Sequence, residues 1–529
     1  RFNLHLPTSV MFEFGNLDAL AAYVESKAEI LPPSISGSAL ADGAAPAPLA
    51  ALAESTAALS DSAPAATSDR IVTSSGRHEE DIAIIGLSCR CAGANDPQAL
   101  WALVANARDC ISEVRDSSWI EVFDSHAVNA RICRGEMAEV DCFDAAFFNI
   151  SPLEAQAMDV VQRIALEECY HAIEDAGYAP NSLAGRRVGV IMGAMQSAPV
   201  HQDCSHFSML GQDNSILAAR LSYFLDLKGP SLAINTACSS SLVAVDLACR
   251  KLKSREVDVA LAGGVAVFNH PGSFVSMYNA GMLSPTGRCR PFDREADGII
   301  VGDGVGVVVL KRLADAERDN DHVYCVIRGS GTNQDGRTSG ITVPSFMAQA
   351  DLEIEVYRKH RIDVEAIQYI EAHGTATKLG DPVEVHAISQ AFAEFTDKKQ
   401  FCGIGSLKAN IGHTAAAAGV LSLIKVCLSM QKGQMPPSIN WQAANEHIDF
   451  SAGPVYVNAE LKAWPEHANG SRLAAISSFG FSGTNAHAVV EQRAVDRRSS
   501  RDLPFRNGER AIVVLSARTS GQLRQQALQ

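Results

Sequence analysis

Cys238 lies in Thr236-Ala-Cys-Ser-Ser240, between a short apolar run, Ser231 to Asn235, and a longer one, Ser241 to Lys251. The first run has the length of a strand. The second is apolar for two turns and basic at its end, the pattern of a buried helix whose last turn meets water. Strand, tight turn and helix put Cys238 at a helix N-terminus. Free backbone N–H groups and the positive end of the helix dipole there favour thiolate over thiol, the form that attacks electrophiles. The same cysteine also fits a buried structural role, common for free thiols.

Two histidines stand in comparable settings. Ile367 to Ala372 reads as a strand, and His373-Gly-Thr-Ala-Thr377 follows as a small-residue loop at its end, where α/β proteins place chemistry. A histidine that merely closes its own turn fits equally. Asp381-Pro-Val-Glu384 then carries a helix-start signal: Asp at the cap, Pro at the first position, Glu at the third. Further on, Ser406-Leu-Lys-Ala-Asn-Ile-Gly-His413 sets Lys408 and His413 on a strand-to-helix turn, and Thr414-Ala-Ala-Ala-Ala-Gly419 opens a helix that must pack very closely. Lys408 by itself reads more readily as a solvated loop lysine than as a site residue. Ser477-Ser-Phe-Gly-Phe-Ser-Gly-Thr-Asn-Ala-His487 is either an ordinary glycine-rich turn between strands or a turn that aims N–H groups at a developing oxyanion.

The elements that hold these residues alternate between apolar strands and amphipathic helices from Asp81 to about Glu491, which argues for α/β architecture with helical layers. Ile82 to Ile85 reads as a buried strand that turns at Gly86, Leu153 to Gly177 as one helix, and Val188–Gly193, Val257–Val267 and Gly304–Lys311 as strands. A chain of 529 residues exceeds one core. The formal charge of −15 argues against nucleic-acid binding, and no apolar run reads as long enough to span a membrane. Thirteen cysteines without a CxxC pair indicate free thiols in a reducing, cytoplasmic setting. Cys89 and Cys91 lack the partner pair of a metal site, so no metal is expected. The chain opens mid-element at Arg1, as a piece of a longer polypeptide would.

The thiol, the two histidine motifs and the glycine-rich turn, in this order and spacing, resemble the β-ketoacyl synthase domain of modular type I polyketide synthases. Gly281-Met-Leu-Ser-Pro-Thr-Gly-Arg-Cys-Arg-Pro-Phe-Asp293 and Asn333-Gln-Asp-Gly-Arg337 add to the likeness. The resemblance implies a thiolase-like layered αβαβα fold, homodimeric, over residues 79–493. Residues 1–28 look like the end of an acyl carrier domain, 29–78 are an Ala/Ser/Pro-rich linker, and 494–529 begin a post-synthase linker region. Leu379-Gly-Asp-Pro382 and Tyr456 to Trp464 lean toward synthases served by free-standing acyltransferases.

The resemblance also implies a chemistry. Cys238 takes the growing acyl chain from an upstream carrier. His373 and His413 stabilise the enolate formed as malonyl-carrier protein loses CO₂, and Lys408 tunes them. The N–H groups of Cys238 and Phe481 hold the oxyanion, with Phe481 as a gate. Thr375 and Thr377 bind the phosphopantetheine arm, which belongs to the partner carrier, the synthase itself binding no cofactor. Partners are a second copy, the upstream and downstream carrier domains, and acyl and malonyl thioesters. Two alternatives remain: a transacylating, branching or otherwise non-elongating synthase, and a non-catalytic partner resembling a chain-length factor. Met195, Gln196 and Met209 are candidate acyl contacts. Three departures stand out: Val160 in Asp159-Val-Val-Gln-Arg163 where the family has Pro, Ala376 for Gly, and Asp303 for Glu. Ala376 is expected to add a methyl beside the pantetheine tunnel, and Asp303 to loosen the charges around Lys408.

Overall fold

The computed structural model describes residues 81–195, 206–467, 470–492, 515, 517 and 519–528. The chain divides into two units, 1–70 and 71–529. The carrier-domain end expected at 1–28, the linker at 29–78 and Gln196 lie outside the described residues, as does most of 494–529.

Ten of the strands fall into two sets of five. The first is β1 (Ile82–Cys91), β2 (Val188–Ala194), β3 (Ser231–Ile234), β4 (Val259–Ala266) and β5 (Gly304–Arg312). The second is β6 (Cys325–Gln334), β7 (Ile367–Glu371), β8 (Cys402–Gly405), then β10 (Arg472–Phe479) and β11 (Thr484–Gln492), with a short β9 (Val455–Val457) beyond β8. Their spatial order is β3-β2-β4-β5-β1, then β6-β11-β10-β7-β8-β9. Within each set the order is third, second, fourth, fifth, first. The second strand pairs in parallel with the third and fourth, and the fifth runs antiparallel to the fourth and first. The halves repeat one topology and join where three residues of β1 pair with β6.

The helices that matter here are α1 (Val160–Asp175), α2 (Asn214–Leu225), α3 (Ser240–Lys253), α4 (Phe346–Lys359), α5 (Gly380–Ala393), α6 (Lys408–Ile411) and α7 (Ala418–Lys432). α3 touches β2 and β4 of the first half and β6 and β11 of the second. α7 likewise touches β5 and β10. These two helices form the middle layer between the sheets, while α1 and α2 cover the first half and α4 and α5 the second. That makes five alternating layers. The middle position explains the composition of α7, in which every residue from Ala418 to Met430 is buried, Lys425 included. The stretch Ala415–Lys432 is apolar and long enough to cross a membrane, contrary to the sequence reading, yet it is 89% buried as a core helix.

Two local expectations change. Gly86 is no turn: β1 runs through it to Cys91 with a bulge between Ile84 and Gly86. A Cβ there would meet Ala172 O at 2.5 Å and Ala176 N at 2.8 Å, so glycine serves the close approach of α1 to the strand. The helix read as Leu153–Gly177 is two helices, broken where Asp159 caps α1 by accepting from Val161 N–H at 3.0 Å. Val160 therefore sits at the first helical position, where proline is merely favourable. The departure from the family pattern costs α1 nothing essential.

Gly86→Ala should lower the unfolding free energy by about 1–3 kcal/mol, because the atoms met are backbone and cannot step aside. A urea midpoint unchanged from the wild type would contradict the close approach.

Candidate active site

Three of the four candidate motifs follow a strand of the layered sheets, and the fourth is the turn between β10 and β11. After β3 the chain makes a single turn, Ala237–Ser239, before α3 begins, and Cys238 is its middle residue. Ala237 sits at φ +58°, a left-handed conformation that costs a non-glycine residue about 1–2 kcal/mol. Its N–H is taken by Asn235 Oδ1 at 3.0 Å, while Ser240 Oγ accepts from Thr236 N–H at 2.9 Å and donates to Ala237 O at 2.6 Å. The turn is held in this shape from both sides. Nine of the twelve described cysteines are buried, whereas Cys238 keeps partial exposure.

The hairpin between β10 and β11 closes over this turn. Ser478 Oγ donates to Cys238 O at 2.8 Å. A Cβ on Gly480 would meet Thr236 O at 2.3 Å, so only glycine lets the hairpin come this near. As a result the N–H of Phe481, together with that of Cys238 itself, acts to favour the charged form of the sulfur. The Phe481 side chain is 48% exposed at the hairpin tip.

His373 follows β7, and Lys408 and His413 follow β8. The imidazoles meet edge to face with centroids 5.3 Å apart, and Phe479 lies 5.7 Å from His373. Lys408 is buried on α6, contrary to the solvated reading. His413 is seated by Ile300 O, which accepts its N–H at 2.6 Å, and by Gly302 N–H, which donates to its carbonyl at 3.0 Å. Its Nδ1 accepts from Ala415 N–H at 3.3 Å, so the neutral ring carries its proton on Nε2. Ala376 and Ala415 also hold positive φ, +61° and +41°, so strained backbone adjoins Cys238, His373 and His413.

The helix-start signal at Asp381 and Glu384 serves another purpose than expected. α5 begins at Gly380 with no side-chain cap. Instead Glu384 accepts His373 N–H at 2.6 Å and Gly374 N–H at 2.7 Å. Asp381 accepts Phe292 N–H at 2.7 Å and Ala376 N–H at 3.1 Å. Both carboxylates point back and clamp the loop of His373. Thr375 and Thr377, half-buried on that loop, have their hydroxyls 3.2 Å apart.

Two expectations about departures need correction. Asp303 does not face Lys408. It accepts from Arg134 at 2.5 Å, Phe268 N–H at 2.8 Å and Met137 N–H at 3.2 Å. Since it follows directly on Gly302, it anchors the segment that seats His413. The methyl of Ala376 is fully buried among Cys133, Cys289 and Ile300, not beside a channel. Met195 is half-buried just after β2, and Met209 is 77% exposed.

Burial dominates the electrostatics. It pushes the Cys238 thiol up, against the Phe481 N–H, the Lys408 ammonium and the cysteine's own N–H. The resting group is therefore a thiol, and the helix-terminus expectation of a thiolate gives way to desolvation. Burial, Lys408 and His413 together hold His373 well below the usual imidazole range. Burial and then Lys408 bring His413 down to about 3. Both rings are neutral N–H donors. Burial also lowers Lys408, opposed first by Glu371 and then by Glu384, and it lifts Asp381 and Glu384 to about 7.

A strained thiol turn and a neutral imidazole pair beside a buried lysine come together on a duplicated layered fold. Comparison with known proteins agrees. The β-ketoacyl synthase N-terminal domain matches residues 79–316, its C-terminal domain 324–442, and the ketoacyl-synthetase C-terminal extension 444–529. Polyketide synthase PksL of Bacillus subtilis is 46% identical over 85% of the chain. A phenolphthiocerol/phthiocerol polyketide synthase of Mycobacterium bovis is 42% identical over 84%. The chain spans 10% and 25% of the length of these two relatives. The solved ketosynthase from module 6 of the bacillaene synthase of Bacillus subtilis superposes with a TM-score of 0.77 at 45% identity, over 85% of this chain and 76% of that one. The chain belongs to the β-ketoacyl synthase family, and its fold is thiolase-like.

Because His413 is neutral when folded but has an ordinary imidazole when unfolded, protons bind the unfolded chain preferentially below about pH 6.5. Stability from this group is present above that pH and lost as the pH falls. The stability gap between wild type and His413→Gln should therefore shrink by about 2 kcal/mol between pH 7.5 and pH 5, at about 1.4 kcal/mol per unit. Urea unfolding at the two pH values measures it, and a constant gap would contradict the buried neutral ring.

Proposed function

We propose that this chain elongates a polyketide, by transacylation onto Cys238 followed by decarboxylative Claisen condensation with malonyl-acyl carrier protein. The observation that carries this reading is the joint placement of one accessible thiol under the field of Lys408 and of two neutral imidazoles in contact with each other. In the first step Cys238 attacks the thioester carbonyl of the upstream carrier's phosphopantetheine arm. The new C–S bond forms first to give a tetrahedral adduct, whose collapse breaks the carrier's C–S bond, and the thiol proton ends on the departing carrier thiol. The N–H groups of Cys238 and Phe481, which favour negative charge on the sulfur, suit the tetrahedral oxyanion.

In the second step the malonyl thioester loses CO₂, and the electrons of the broken C–C bond pass into an enolate. His373 and His413 donate N–H groups to its oxygen. Neutral rings suit this better than charged ones, because they donate without having to be charged in a dry pocket. The nucleophilic carbon then attacks the acyl-Cys238 carbonyl and releases the thiolate. Lys408 sets the local potential. The hydroxyls of Thr375 and Thr377 lie on the His373 loop, where the pantetheine arm would run. The likeness to named polyketide synthases supports the class of chain carried, and carrier domains upstream and downstream are the partners.

The open edge of the first half supports a homodimer. β3 ends the sheet, and its residues, Leu232 and Ile234 among them, are only partly buried. An unpaired apolar edge invites another strand, and a second copy presents the same one. Pairing there would also brace the turn carrying Cys238. A monomeric mass by light scattering at micromolar concentration would refute the dimer.

Cys238→Ala should abolish acyl loading, seen as the absence of the acyl mass increment in the intact protein. His373→Ala should still load but lose product formation by about 10²–10³-fold, the usual effect of deleting one oxyanion donor. If that variant makes β-ketoacyl product at the wild-type rate, decarboxylation does not depend on His373. Wild-type protein that loads but never extends would identify a transacylating synthase.

A further inference from the structure

Glu371 and Lys425 are both fully buried and meet at 2.6 Å. Each also bonds Tyr369 Oη at 3.1 Å, and Lys425 Nζ lies 5.6 Å from the centre of that ring. The other oxygen of Glu371 accepts Leu407 N–H at 2.7 Å and the Ser422 hydroxyl at 3.5 Å. A buried ion pair is a poor way to gain stability, since apolar residues of the same shape often do as well. Its location offers a better account. Glu371 ends β7, two residues before His373. Leu407 immediately precedes Lys408. Ser422 and Lys425 lie on α7, the helix that follows His413.

We infer that the Glu371–Lys425 pair is a positioning device for the condensation step: Glu371 ties the segments bearing His373, Lys408 and His413 to one carboxylate and supplies a negative charge facing Lys408, while Lys425 is its counter-charge. This rests on the elongation reading above. Lys408 faces Glu371 on β7, Asp381 and Glu384 on α5, Cys289, Cys238 at the start of α3, and both imidazoles. Among the groups that favour its charged form, Glu371 comes first. Neutral imidazoles need a fixed positive neighbour if the enolate is to gain more than two hydrogen bonds, and a lysine in a dry site keeps its proton only beside negative charge.

Glu371→Gln keeps the shape and the acceptor for Leu407 while removing the charge. Trace carbamylation with isocyanic acid, which reacts with the free amine, read by peptide mapping at Lys408 across pH, reports that lysine's protonation directly. The midpoint should move down by about one pH unit, a tenfold fall in the charged fraction above it. The alkaline limb of the condensation rate should move down with it, a displacement that mere loosening of the fold would not produce. If Glu371→Gln fails to fold, Glu371→Gln with Lys425→Met removes both buried charges and should show the same downward movement, since Glu371, not Lys425, leads the charges acting on Lys408. An unmoved Lys408 midpoint in whichever variant folds overturns the proposal. Wild-type protein that fails to condense at every pH would sink the elongation reading instead, while the carbamylation midpoint would still decide the role of the pair.

Discussion

The tips of α3 and α7 touch, and most of the site follows from that contact. A Cβ on Gly419 would meet Leu242 Cβ at 2.8 Å, and one on Gly264 would meet Ala416 O at 2.5 Å. Gly193 is pressed as closely against the backbone of Ser240 and Ser241. Ser241 Oγ crosses the gap to accept Val420 N–H at 3.0 Å. Only glycine, alanine and serine fit where two helix starts and two sheets converge, and the run Ala415–Gly419 satisfies that demand. Any larger side chain would push apart the turns carrying Cys238 and His413, so packing at the centre of the molecule sets the geometry of its chemistry.

Dryness is the second consequence. A centre packed this tightly excludes water, which turns every nearby titratable group toward its neutral form. That holds the imidazoles neutral, but it works against a charged lysine and against carboxylates that accept N–H bonds. The structure answers with backbone donors: Glu384 takes two N–H groups and Asp381 at least two, so the carboxylates that clamp the His373 loop are themselves stabilised by it. Lys408 has Glu371 and Glu384 for company. The charges in this site are mutually dependent, which is why single departures such as Asp303 act through the segment they anchor and not through the reacting groups.

Much of this was legible in the residues. The apolar run before Cys238, the polyalanine start after His413 and the glycines of the Phe481 hairpin each carried a local signal, because each reflects a local requirement: a strand, a close approach, a sharp turn. What escaped was long-range. Asp381 and Glu384 carry a correct helix-start pattern, and the helix does begin there, yet their carboxylates serve a loop that sequence spacing cannot show to be opposite. Glu371 and Lys425 carried no local signal, since the two partners lie 54 residues apart. Gly86 looked like a turn because the helix pressed against it lies more than eighty residues away. The thiolate expectation meets an opposing effect for a similar reason: the helix terminus is visible in sequence, but the desolvation around the sulfur is not.

The duplicated topology accounts for how one site draws on such distant segments. In each half the third strand leads through a short turn into a central helix: β3 to Cys238 and α3, β8 to Lys408, His413 and α7. The two turns occupy equivalent places in two copies of one architecture, and packing the central helices against each other brings them together. One copy carries Cys238, the other Lys408 and His413. The second strand of the second half adds His373, and its fourth and fifth strands add the Phe481 hairpin. A single half could hold a thiol or an imidazole at its helix tip, but not both facing each other. The apposition of two diverged halves sets the thiol turn of one beside the turn that follows His413 in the other.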